Sequence, residues 1–169
     1  MKHRTLACLL GAALLGGCSS SDTSKNANGS GSTTTGSGSG AGGPGGAGHA
    51  APGTQEDLVQ SAGDRIFFDT DRSSLTPQAT GTLDRQSAWL QQYSQVNIWV
   101  AGNCDERGTE EYNLALGQRR ANADRDYLVA HGINSGRIET ISYGKSRPID
   151  ANSTPEAWAQ NRNAITSVR

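Results

Sequence analysis

From Ser19 to Gln55 the chain is built almost wholly of Ser, Gly, Thr, Ala and Asn, with Asp22 and Lys25 as its only charged side chains and no large apolar residue. Ordering each residue costs about 1–2 kcal/mol of conformational entropy, and this stretch has no apolar surface to bury in return. Eleven of the 22 glycines lie in it. Such a composition gives a flexible coil with a root-mean-square span of about 35 Å and a stretched limit of about 120 Å. A fold must therefore come from the residues on either side.

The segment before it, residues 1–17, reads as an export signal. Lys2, His3 and Arg4 make a basic start, and an uncharged run rich in Leu, Ala and Gly follows from Thr5 to Gly17. The run falls short of the roughly 20 apolar residues a transmembrane helix needs. Leu15-Gly16-Gly17-Cys18 resembles a bacterial lipobox, which implies a mature chain beginning at a lipidated Cys18, with residues 18–55 as its tether. Ser19, standing where Asp would signal inner-membrane retention, implies delivery to the outer membrane. Cys8 leaves with the signal, so Cys104 is left as a free thiol and no intrachain disulfide is expected.

Residues 56–169 hold every Trp, Phe and Tyr of the chain and are long enough for one domain. They carry 15 acidic and 12 basic residues, a net charge of −3 with the signs interspersed. No basic patch for nucleic acid emerges.

Within this domain, Arg65 to Asp71 is a β-rich run ending in turn formers. Thr76-Pro77 pairs a helix cap with proline at the first helical position, and Ala79, Leu83, Leu90 and Tyr93 recur at helical spacing. Val96, Ile98 and Val100 alternate with Asn97, Trp99 and Ala101, the period of a strand. A long helix is predicted over Glu111 to His131, closed by Gly132, then a strand over Arg137 to Tyr143. Thr154-Pro155 starts a short helix through Trp158, and Ala164 to Val168 forms a last strand. The order βαβαβαβ predicts an α+β sandwich with helices packed on one face of a mixed sheet.

The stretch Ala101 to Ala121, "AGNCDERGTEEYNLALGQRRA", concentrates charge around the turn into the long helix. Cys104 as a nucleophile would need a histidine base. His3 leaves with the signal, His49 lies in the tether and His131 ends the helix, so an enzyme is not expected. One Cys among scattered carboxylates lacks ligand spacing for zinc or calcium, and no cofactor is implied. What remains is Asp105 at a strand exit and Arg120 on the helix, with Asn113, Leu116 and Arg120 sharing one stripe. Held apart, the two charges can grip an amino-acid zwitterion. Alternatively they pair with each other, and the residues alone leave both options open.

Four segments carry a resemblance: "IFFDTDRSSLTPQA", "GNCDERGTEEYNLALGQRRANA", "ISYGKSRP" and "AWAQNR". They resemble the OmpA-like peptidoglycan-binding family in its lipid-anchored, peptidoglycan-associated branch, from about Ile66 to the end. The resemblance implies the family's βαβαβ(α)β sandwich and non-covalent binding of peptidoglycan through the meso-diaminopimelate of its stem peptide. Asp105 would meet the diaminopimelate ammonium and Arg120 its carboxylate, with Asp69, Phe68, Asn113 and Leu116 completing the pocket. It also implies partnership with TolB and the Tol system, linking the outer membrane to the wall during envelope constriction at division.

The sequence departs from the family pattern at several places. Asn103 stands for the usual histidine, Asn163 for the second arginine of Asn-Arg-Arg, and Ala101 for a common Glu. The arginine lost at Asn163 is expected to weaken carboxylate binding. Asp124 stands where an apolar residue is usual, and an unpaired buried carboxylate is costly. Four residues after Arg120, it is expected to pair with it in competition with ligand, so that Asp124→Val would raise both stability and affinity. Trp99 and Ser167 are further departures.

Overall fold

The computed structural model describes residues 50–169, so the signal, Cys18 and most of the tether lie outside the described residues. Four helices and four strands follow in order: α1 (Gln55–Ser61), β1 (Arg65–Phe67), α2 (Pro77–Gln92), β2 (Ile98–Asn103), α3 (Glu110–Ala130), β3 (Ile138–Gly144), α4 (Pro155–Asn161) and β4 (Asn163–Val168). A short 3-10 turn, Ser135–Arg137, precedes β3.

Every helix starts the same way. Thr54, Thr76, Thr109 and Thr154 each accept a hydrogen bond from a backbone N–H in the first turn, and Pro77 and Pro155 supply preset φ just inside α2 and α4. Gly132, at φ 91°, turns the chain out of α3 in the left-handed region.

The sheet order is β1-β4-β2-β3, with β2 and β3 parallel and the other pairs antiparallel. Alternation along the strands sends Ile66, Ile98, Val100, Ile138, Ala164 and Thr166 to a buried face. There they join Ala79, Leu83 and Leu90 of α2 and Ala121 and Leu128 of α3 in the core. This is the mixed-sheet α+β sandwich expected.

Two local differences have physical causes. The sequence reading contains no α1, because its one buried residue, Leu58, makes no period, yet Asp57 ties it down by accepting from Gly53 N–H and Trp89 Nε1. β1 stops at Phe67, and by Asp71 the backbone has turned to a φ of 55°.

α3 lies unusually close to β2. A methyl group on Gly102 would stand 1.8 Å from the carbonyl oxygen of Gly117, so the two glycines let helix and strand backbones touch. That contact sets how α3 meets the end of β2, where Asn103, Cys104 and Asp105 leave the sheet.

The expected pairing of Asp124 with Arg120 does not form. Asp124 is fully buried and neither of its oxygens has a hydrogen-bond partner. Side chains on a helix lean toward its N-terminus, so Arg120 reaches back to the loop before α3 and leaves Asp124 a turn behind.

Candidate functional site

The site forms where the loop after β1 and the turn between β2 and α3 converge. Asn113, buried in the first turn of α3, donates to the carbonyls of Arg107 (2.7 Å) and Thr109 (3.1 Å). Lys145 Nζ donates to Gly108 O at 2.8 Å from the outside, and Cys104 N–H bonds Gly144 O. The turn carrying Asp105 is thus held from three sides.

Arg120 is completely buried and binds main chain. Nη1 donates to Asn103 O (2.7 Å) and lies 3.5 Å from Cys104 Sγ, Nε donates to Arg72 O (2.9 Å), and Nη2 donates to Asp69 O (3.1 Å). Of five N–H groups, one on Nη2 is left over. The guanidinium carbon sits 5.1 Å from the Phe68 ring centre, a cation–π contact on a buried ring. Burial lowers the guanidinium pKa, yet the ring of carbonyl acceptors suits a cation.

Asp105 does not pair with Arg120. Its carboxylate accepts from Arg107 Nη2 (2.7 Å), Arg107 Nε (3.1 Å) and the Arg107 backbone N–H (3.1 Å), with Arg162 Nη1 at 3.4 Å. Burial alone would raise its pKa, but these hydrogen bonds and the Arg107 charge outweigh burial and hold it below the usual carboxylate range. Asp105 is an anion 7% exposed, closed over by an exposed arginine whose guanidinium lies 4.4 Å from the Trp158 ring centre.

Beneath Arg107 is a slot of about 10 Å³ lined by Asp71, Cys104, Asp105, Asn113, Leu116, Arg120 and Arg162. Outside it opens a cleft of about 320 Å³ bordered by Thr70, Asp71, Asp105, Arg107, Gly108 and Tyr112. Asp105, Arg120, Asn113 and Leu116 therefore converge as the spacing suggests. Phe68 lies under Arg120. Asp69 contributes its carbonyl to Arg120, while the residue itself is exposed beside a neighbouring cleft of about 290 Å³.

Arg107, Arg162 and Asp71 belong to the site and were not singled out by sequence. Arg107 stands in the same charged run as Asp105, two residues on, and that adjacency was the available signal. Asn163 is not at the slot. It is buried, accepts from Asn103 Nδ2 at 2.8 Å and donates to Gln160 O, so the two departures from the family pattern satisfy each other. Besides Arg107, the arginine that reaches Asp105 is Arg162, while Asn163 is spent on Asn103 and Gln160.

The Cys104 thiol is pushed up by burial and donates to Asn113 O. Among the described residues no group of three His, Cys, Asp or Glu could hold a metal ion. What the arrangement offers chemically is recognition of a cation by Asp105, with guanidinium groups around it for an anion.

Residues 67–162 match the model of the OmpA family. A peptidoglycan-associated lipoprotein of Mesorhizobium japonicum is 46% identical over 99% of this chain and 92% of its own length. One of Rhizobium meliloti is 54% identical over 72% of this chain and 69% of its own. The crystal structure of the peptidoglycan-associated lipoprotein from Burkholderia pseudomallei superposes with a TM-score of 0.61 at 39% identity, covering 63% of this chain and 90% of that one. With the sandwich, the Asp105 turn and the buried Arg120 in place, the chain belongs to the OmpA family, among the peptidoglycan-associated lipoproteins.

Proposed function

We propose that this chain is anchored in the outer membrane through a lipidated Cys18 and holds peptidoglycan non-covalently by the meso-diaminopimelate of the stem peptide. The observation that carries this reading is the ionised, nearly buried Asp105 with an exposed arginine as its lid. A ligand ammonium takes the place of the Arg107 guanidinium, one cation exchanged for another, so Asp105 is never left unpaired. The adjoining carboxylate meets the leftover Nη2 hydrogen of Arg120, with Arg162 close by. Phe68, Asp69, Asn113 and Leu116 shape the pocket around it. The slot of about 10 Å³ holds no such group until Arg107 swings away, and the cleft beside it gives that side chain room.

No bond is made or broken in this role. Two or more acyl chains on Cys18 would anchor the domain firmly, and a tether of the stated reach confines it to a thin layer where modest affinity gives useful occupancy. The resemblance supports work with TolB and other Tol proteins during envelope constriction. A second reading, a Tol-system assembly protein that holds the wall weakly, is favoured by the lid itself, because Arg107 competes with ligand for Asp105.

Calorimetry with a meso-diaminopimelate tetrapeptide tests the site. Asp105→Asn is expected to weaken binding at least about tenfold, since truncating one partner of a charge pair costs roughly 2–5 kcal/mol. A lysine-containing tetrapeptide, which lacks the second carboxylate, should bind more weakly too. Equal affinity of Asp105→Asn and wild type would refute the assignment. No heat at millimolar tetrapeptide, with a TolB complex intact, would select the second reading.

A further inference from the structure

The loop after β1 closes on a tight turn. Asp69 O accepts from the Arg72 backbone N–H at 3.3 Å, so Asp71 is the third residue of the turn, and its φ of 55° is the left-handed value for which Gly or Asn is the usual choice. An aspartate takes that conformation at least cost when its carboxylate bonds the nearby backbone. Asp71 has no such help: among the described residues its carboxylate makes no hydrogen bond and no ion pair. Arg120 holds the turn from both flanks instead, through Arg72 O and Asp69 O. Backbone strain kept beside a binding slot, with nothing local to offset it, points to a use for the side chain it presents.

Asp71 is exposed and borders two spaces, the slot beneath Arg107 and the cleft of about 320 Å³ outside it. Arg107 borders that same cleft. The Arg107 pKa is raised first by its hydrogen bonds to Asp105 and further by the charges of Asp105, Asp71 and Glu106, so Asp71 already acts on that guanidinium through space. Glu106 is engaged elsewhere, accepting from Trp158 Nε1 at 3.0 Å. Of the two acids that border the cleft, Asp105 is occupied by Arg107 and Asp71 is open to a cation.

We propose that Asp71 is the second seat of the Arg107 lid: when a ligand ammonium takes Asp105, the guanidinium crosses the cleft and pairs with Asp71. This rests on the reading of Arg107 as a lid over Asp105. In the ligand-free chain Asp105 holds the lid, because it is nearly buried and accepts from Arg107 Nε, Nη2 and backbone N–H, whereas Asp71 faces water, where an ion pair is weaker. An ammonium at Asp105 reverses the balance. With Asp71 in place, the displaced guanidinium keeps a carboxylate partner, and one ion pair becomes two. Asp71 is thus a positioning residue that sets the share of molecules with the lid open, and the apparent affinity scales with that share.

Asp71→Asn suits the test, because Asn accepts the left-handed backbone and only the charge is lost. The first measurement needs no peptide. Asp105→Ala removes the lid's resting partner, and NMR of the arginine side-chain Nε–H groups then reports where Arg107 sits; Asp105→Asn takes its place if the Ala variant does not fold. Arg107 is expected to show a restricted guanidinium in that variant and a freely rotating one once Asp71→Asn is added. An Arg107 signal that Asp71→Asn leaves unchanged would overturn the proposal. The second measurement is calorimetry with the meso-diaminopimelate tetrapeptide. There Asp71→Asn should weaken binding about two- to fivefold, the range of an exposed ion pair, and its effect should shrink below about twofold when Arg107→Ala is also present. A loss of equal size in both backgrounds would make Asp71 a ligand contact in its own right and overturn the second seat. Because the arginine signals are read without peptide, the latch and the peptide site stand or fall separately.

Discussion

Replacing Asp124 should make the domain more stable by several kcal/mol and nearly indifferent to pH between 5 and 8. The carboxyl is fully buried on α3, neither oxygen finds a donor, and burial pushes its pKa from an ordinary 3.8 up to about 7. Below pH 3.8 the group is protonated in the folded and unfolded chain alike and costs nothing through ionisation. Between 3.8 and about 7 the unfolded chain releases the proton while the fold retains it, so stability falls as pH rises. At 1.36 kcal/mol per pH unit, the separation amounts to a plateau of about 4 kcal/mol above pH 7. Against a typical total of about 5–15 kcal/mol, that is a large fraction.

Asp124→Asn keeps the shape and removes the ionisation, so it isolates this effect, whereas Asp124→Val also removes the buried polar atoms. Urea unfolding at pH 5 and pH 8 is the assay. The native chain should lose about 2–3 kcal/mol between those values from this group, and Asp124→Asn should lose far less. The carboxylates with lowered pKa, Asp57, Asp105 and Glu106, have finished titrating below this window. The same pH dependence in Asp124→Asn as in the native chain would refute the reasoning. Because Arg120 makes its bonds to the loops and not to Asp124, peptide affinity should stay unchanged in both variants.

Gly102→Ala should cost about 3 kcal/mol or more in urea unfolding, since its methyl group would strike the Gly117 carbonyl and both atoms belong to backbone. Arg107→Ala should bind the diaminopimelate peptide a few-fold more tightly, because the competitor for Asp105 is gone and the population able to bind rises. A tenfold loss measured by the same calorimetry would make Arg107 a ligand contact instead.

How much of this was legible in the sequence follows from the range of the interactions. The starts of α2 and α4 were legible because a threonine cap and a proline act within four residues, and the Asn113, Leu116, Arg120 stripe because helical period alone puts those side chains on one face. Arg162 was not, since it reaches Asp105 only through the pairing of β4 with β2 and the turn at the end of α4. The supposed Asp124 pair failed for a related reason: spacing along a helix says which residues share a face, but not where a long side chain is aimed. Trp99 read as an unfamiliar choice until the sheet showed it half exposed between Ser167 and Glu139, donating its ring N–H to the Glu139 carboxylate.

Arg120 ties together the carbonyls of Asp69 and Arg72 in the loop after β1 and of Asn103 at the end of β2, from a position with no access to water. Loss of that guanidinium would dismantle the receptor along with its grip, so variants at this position should vanish by degradation before any loss of adhesion could be scored. Functional tuning in this lineage is therefore left to the solvent-facing lid, where a side chain can be exchanged without unpicking the architecture beneath.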